Sequence, residues 1–128
     1  MKQGFVKVAS ATPRIRVADP VYNAQVICEQ AKEAAEHGAK IVVFPELCIT
    51  GYTCNDLFLQ ELLLEKAKEA LLTIAEETGQ LETLFLVGLP VDKDGRLYNV
   101  AAVLYRGRIL GMLSLIHISE PTRHSLIS

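Results

Sequence analysis

The chain has 128 residues, half of them hydrophobic and 22% charged, with a formal net charge of −2. That length can bury one modest core, and charges of both signs interspersed along it leave no basic stripe for nucleic acid or an anionic membrane. No apolar run approaches the roughly 20 residues that cross a bilayer as a helix, and Met1-Lys2-Gln3-Gly4 does not lead into the apolar core of a secretory signal. With three cysteines, an odd number, a cytoplasmic protein with free thiols and no membrane partner is expected.

Taken in order, Phe5-Val6-Lys7-Val8-Ala9-Ser10-Ala11 reads as a first strand. Asp19-Pro20 opens a helix, because Asp can cap free amides and Pro at the first helical position lacks only a hydrogen that would be unpaired anyway. Val21, Ala24, Ile27, Cys28, Ala31, Ala34 and Ala35 recur on one face of that helix, and Gly38 stops it. Ile41 to Phe44 is a β-branched apolar run, expected to be a strand, from Lys40 to Phe44, buried on both faces. Pro45 ends it, since proline cannot donate to a sheet ladder, and Glu46 is left at the strand's rim. A carboxylate there would be partly desolvated, which suits a general base, so Glu46 is the first catalytic candidate.

Residues 60–78 carry Leu63, Ala67, Ala70, Leu71 and Ile74 at helical spacing with charges mostly on other faces, and Gly79 ends this second helix. Leu84 to Pro90 is a further buried strand, where Gly88 would let another backbone come close. Asp92-Lys93-Asp94-Gly95 and Arg106-Gly107 are turn signals that bracket a strand from Leu97 to Tyr105 and lead into Arg108-Ile109-Leu110-Gly111. The order is β-α-β-α-β-β-β, a mixed α/β fold. Cys48 and Cys54 flank the loop after Glu46, but no histidine lies there and the spacing fits no zinc knuckle, so no metal site is expected. There is no phosphate-binding glycine loop and no Ser/His/Asp set with usable spacing.

Phe44-Pro45-Glu46-Leu47 followed by Thr50-Gly51-Tyr52 resembles the first signature of the nitrilase, or carbon–nitrogen hydrolase, superfamily. With Thr53-Cys54-Asn55-Asp56-Leu57-Phe58, Gly4 to Ala9, Ala18-Asp19-Pro20, Tyr22-Asn23 and Leu97 to Leu104, the likeness narrows to the amino-terminal glutaminase domains of glutamine-dependent NAD synthetases, over Met1 to about Gly111. The resemblance implies the first half of a nitrilase-type α-β-β-α sandwich over residues 1–112. It also implies a Glu, Lys and Cys mechanism in which Glu46 is the base and Tyr52 lines the substrate pocket or donates a hydrogen bond near the substrate carbonyl.

In that family the Cys thiolate attacks the side-chain amide of glutamine, and the ammonia passes to a carboxy-terminal synthetase domain that uses ATP and Mg. Those cofactors are implied for that absent domain and none for this chain, and the intact protein is expected to be a homo-oligomer. The family's Lys follows the strand at Gly107 to Gly111, and its Cys comes much later. Here no lysine follows Lys93 and no cysteine follows Cys54. The fragment is therefore expected to be inactive. Other readings are a piece of a stand-alone nitrilase-type amidase, or a non-catalytic fragment held as an oligomer through its sheet edges.

The chain changes character at Met112. Four of its five serines and two of its three histidines fall within residues 113–128. The run from Leu113 to Arg123 resembles the translation of a transposon-type sequencing adapter, so this tail is expected to be non-native and His117 and His124 to carry no function. A natural polar strand around Ile116 and Ile118 is the alternative.

Overall fold

A computed structural model describes residues 6–51 and 57–119. The elements are β1 (Val8–Ser10), α1 (Pro20–Glu36), β2 (Ile41–Val43), α2 (Leu57–Glu77), β3 (Leu84–Lys93), β4 (Arg96–Tyr105) and β5 (Arg108–Ser119). They follow the order expected from the sequence. The five strands form one sheet in the order β1-β2-β3-β4-β5. The first three are parallel, each crossover being made by a helix, while β3, β4 and β5 form an antiparallel meander.

Both turns of the meander have the same cause. Asp94 and Gly95 have φ of 55° and 77°, and Arg106 and Gly107 have 52° and 84°. Two consecutive positive φ values give the mirror-image turn whose twist matches that of the flanking strands. Glycine takes the second position of each without steric cost.

Helix α1 begins as its sequence dictates. Pro20 is the first helical residue, and the Asp19 side chain accepts from the Tyr22 amide at 3.2 Å. The Arg16 guanidinium lies 3.8 Å from the centre of the Tyr22 ring, which fixes the approach to the helix. Ala24, Ile27, Cys28 and Ala31 from α1 and Ala67, Ala70, Leu71 and Ile74 from α2 pack in one core with Val42, Phe85, Val87, Leu89, Val100, Ala102 and Leu104 of the sheet.

Two burial expectations are corrected. Val21 is 62% exposed, because it lies on the outer side of the first turn of α1, away from this core. The second strand is not buried on both faces either. Val42 is fully buried under the helices, but Val43, pointing the other way, is 40% exposed. Leu113 of β5, opposite Ala101 on the same face as Val43, is exposed as well, while Met112, opposite Ala102 on the helix side, is exposed because β5 is the edge strand. The sheet is thus covered by helices on one face and only partly covered on the other. The compositional change at Met112 is not a change of element, since β5 keeps pairing with β4 from Arg108 to Ser119.

Asn23 is fully buried and ties the approach of α1 to the loop after β2. Its amide nitrogen donates to the carbonyls of Arg16 and Ile49, both at 2.7 Å, and its Oδ1 accepts from the Arg16 amide at 2.6 Å. Replacing it with alanine strands the buried Ile49 carbonyl and releases the two part-buried backbone groups of Arg16. A buried group left unpaired costs about 1–3 kcal/mol, and the Arg16 groups can turn to water, so Asn23→Ala is expected to lower unfolding free energy by about 1–3 kcal/mol. Urea unfolding of the two proteins measures this, and a loss below about 1 kcal/mol would contradict the role given to Asn23.

Candidate active site

The loop from Pro45 to Gly51 leaves the end of β2 and is anchored on three sides. Phe44 donates its amide to the Leu86 carbonyl at 2.9 Å, the last ladder bond before Pro45. The Ile49 amide donates to the Gly88 carbonyl at 3.1 Å, and the Thr50 carbonyl accepts from Ala18 at 2.7 Å. Within the loop, Gly51 donates to the Leu47 carbonyl at 2.6 Å, and Leu47 has a φ of 53°. A left-handed leucine is held there by surroundings that over-determine it.

Gly88 is the floor of the loop. A Cβ placed on it would lie 2.5 Å from the Leu47 nitrogen, 2.7 Å from the Pro45 oxygen and 3.0 Å from the Glu46 carbonyl carbon. Only a residue without a side chain allows that approach, as the sequence suggested.

Glu46 stands at the rim of the sheet with an exposed side chain. The desolvation expected of it is not found, because the loop projects beyond β2 on the side where no helix covers the sheet. Its Oε1 accepts a hydrogen bond of 3.2 Å from Nδ2 of Asn99, in the middle of β4. Asn99 pairs in register with Pro90, and Ala101 with Gly88, so these residues share the sheet face that the loop crosses. Asn99 is 3% exposed. Sequence reasoning assigned it no role. The only signal was an asparagine, a poor strand former, inside an apolar strand.

Tyr52 and Cys54 are outside the described residues. Cys48 is 1% exposed and directs its thiol to the Gly88 carbonyl at 3.7 Å, into the core, while Glu46 faces solvent. Burial pushes the Cys48 thiol up to about 11. Cys28 is also pushed up to about 11, by burial first and then by the Glu77 carboxylate. Neither is an activated nucleophile. Among the described residues, no three His, Cys, Asp or Glu side chains are grouped as metal ligands.

The two thiols give the fold a pH limit. Each is held protonated above its ordinary value of 9.0, so the folded state retains protons that the unfolded chain releases. Their contribution is complete below pH 9 and is lost as pH rises toward about 11. Thermal unfolding midpoints are expected to fall across this window, and to fall less in a Cys28→Ala, Cys48→Ala protein. Equal slopes for the two proteins would contradict the assignment.

The Carbon-nitrogen hydrolase family profile matches residues 7–125, and the chain belongs to that family. Its relatives are more particular. It is 38% identical over 112 residues to the glutamine-dependent NAD(+) synthetase of Mycobacterium tuberculosis, covering 88% of this chain and 16% of that protein. With the synthetase of Thermotoga maritima the identity is 33% over 118 residues, 92% of this chain and 20% of that protein. The chain therefore spans less than a quarter of the length of these relatives.

Among solved structures, a glutamine-dependent NAD(+) synthetase from Cytophaga hutchinsonii superposes with a TM-score of 0.75 at 31% identity, over 84% of this chain and 18% of that one. An amidase from Nesterenkonia superposes with a TM-score of 0.73 at 22% identity, over 94% of this chain and 46% of that one, a likeness of fold alone. The nitrilase-type half-sandwich expected from the sequence is the observed fold.

Proposed function

We propose that residues up to about Gly111 are the amino-terminal part of a glutaminase domain in a glutamine-dependent NAD synthetase, and that Glu46 is its general base. The observation that carries this reading is the Glu46 carboxylate, held at an open strand end on a chain most of whose length matches synthetases. Glu46 would take the proton of a cysteine supplied by the rest of the domain. The thiolate attacks the amide carbon of glutamine, the C–N bond breaks, and ammonia leaves with a proton returned by Glu46. Water, deprotonated by the same carboxylate, then cleaves the thioester to glutamate. The family's lysine would steady the oxyanion of each tetrahedral intermediate. Tyr52 is assigned to the substrate pocket.

The ammonia would serve a synthetase domain that uses ATP and Mg to amidate nicotinic acid adenine dinucleotide to NAD, in a cytoplasmic homo-oligomer. Residues 113–128 are proposed to be foreign to that domain on composition, although β5 pairs to Ser119 and the family profile extends to residue 125. An edge strand accepts alternating apolar residues of any origin.

The experiment joins residues 7–111 to the remaining sequence of the Mycobacterium tuberculosis relative and assays glutamine-dependent and ammonia-dependent NAD formation. The joined protein is expected to use both nitrogen sources, and the 128-residue chain alone to release no ammonia from glutamine. A joined protein that makes NAD from ammonia, folds, and yet leaves glutamine intact would overturn the reading in favour of an amidase with another substrate. Ammonia release by the chain alone, lost on Cys48→Ala, would overturn the dismissal of Cys48.

A further inference from the structure

We propose that Asn99 is the positioning residue of Glu46: its amide holds one carboxylate oxygen and leaves the other free to handle the proton. This rests on the reading of Glu46 as the base. Three observations carry it. The first is the contact itself, Nδ2 of Asn99 to Oε1 of Glu46 at 3.2 Å, between residues 53 apart in the chain. It is the side-chain bond that holds Glu46 among the described residues, and it comes from a strand to a residue on a loop.

The second observation is what Asn99 gives up. Its Oδ1 is buried and has no partner among the described residues. A buried amide oxygen without a partner is unfavourable, and asparagine is also a poor strand former. Every neighbouring position of β4 from Leu97 to Leu104 is filled by an apolar residue or by Tyr98. A leucine at 99 would serve the sheet better, so what the asparagine supplies is its donor. Buried polar atoms left unpaired are few in folded proteins and gather where chemistry constrains the residue.

The third observation is the floor. Gly88 and Asn99 stand on the same face of adjacent strands, one permitting the loop to sit against the sheet and the other gripping the carboxylate that the loop presents. Main chain and side chain of Glu46 are thus fixed by different strands. An exposed glutamate with no such partner would sample several rotamers, and a base acts only in those within reach of its proton. A donor on Oε1 selects one rotamer without removing the second oxygen from use. Asn99 touches no reacting atom and acts through Glu46 alone.

The test uses the joined full-length protein with Asn99→Leu, Asn99→Asp and Glu46→Gln. Asn99→Leu removes both the donor and the orphaned oxygen. It is expected to unfold at the same or a higher temperature than the parent while kcat for glutamine hydrolysis falls about tenfold or more and KM stays within about twofold. Asn99→Asp keeps the shape but faces Glu46 with a second carboxylate. Two carboxylates in contact cannot both ionise easily, so the acidic limb of its kcat/KM profile is expected to move up by about one pH unit or more. A purely structural asparagine predicts the reverse pattern: reduced stability in Asn99→Leu, with rate and pH profile of the folded fraction unchanged. That result would overturn the proposal.

Glu46→Gln separates the two readings. If it is inactive while both Asn99 variants behave as the parent, positioning fails and the base stands. If it keeps the glutaminase rate, the base itself is misassigned and the proposal falls with it. A variant too unstable to assay is replaced by Asn99→Ser. Its shorter donor is expected to give a rate below the parent and above Asn99→Leu, and a rate equal to the parent's would likewise overturn the proposal.

Discussion

Glu46→Gln in the joined enzyme is expected to lower glutamine hydrolysis by about two to four orders of magnitude, the usual worth of a positioned acid–base group, and to leave ammonia-dependent NAD formation unchanged. The glutamine side chain keeps the shape, and its oxygen can still accept from Asn99 Nδ2, so the loop has no reason to move. What disappears is the ability to accept a proton. Ammonia-dependent synthesis needs no proton at this site, which makes it an internal control for folding. A glutaminase rate within tenfold of the parent would remove Glu46 from the mechanism.

Gly88→Ala is expected to cost about 3 kcal/mol, at the upper end of what overpacking does. All three nearest atoms to the new Cβ are backbone, at 2.5, 2.7 and 3.0 Å, and backbone of a loop tied down at Phe44, Ile49 and Thr50 cannot swing aside as a flexible side chain can. The same displacement carries Glu46 away from Asn99, so the glutaminase rate falls with the stability. Gly111→Ala is the matched control, because nothing lies within 4 Å of its added Cβ. It should change stability by no more than about 0.5 kcal/mol. Denaturant unfolding of the two variants decides, and equal small effects would mean that the loop is looser than its contacts indicate.

Much of this was legible in the sequence because its signals are local. Asp19-Pro20 announced α1, the glycines at 95 and 107 announced the turns, and Pro45 placed Glu46 at a strand end. Gly88 was readable as a point of close approach because nothing else explains a glycine inside a buried strand. The partners of these residues were not legible. Asn99 reaches Glu46 across 53 residues and Asn23 reaches Ile49 across 26, and no periodicity encodes a contact of that range.

Burial failed at Val21 and Val43 for a related reason. Spacing groups residues on a face, but it does not say what covers that face. An apolar run with β-branching looks the same whether the second face of its sheet is packed or open. For Glu46 the same gap led to an expectation of desolvation where the structure has an exposed carboxylate.

The sheet's mixed direction also sets an order of assembly. The meander β3-β4-β5 is joined by two-residue turns, so its pairings close over short loops and form early. The parallel pairings β1-β2 and β2-β3 must wait for whole helices to be laid between them. During synthesis the loop bearing Glu46 therefore emerges before its support exists, since Cys48 precedes the Gly88 carbonyl it meets by 40 residues. The Glu46 carboxylate is made early and seated late, after the strands that hold it have zipped together.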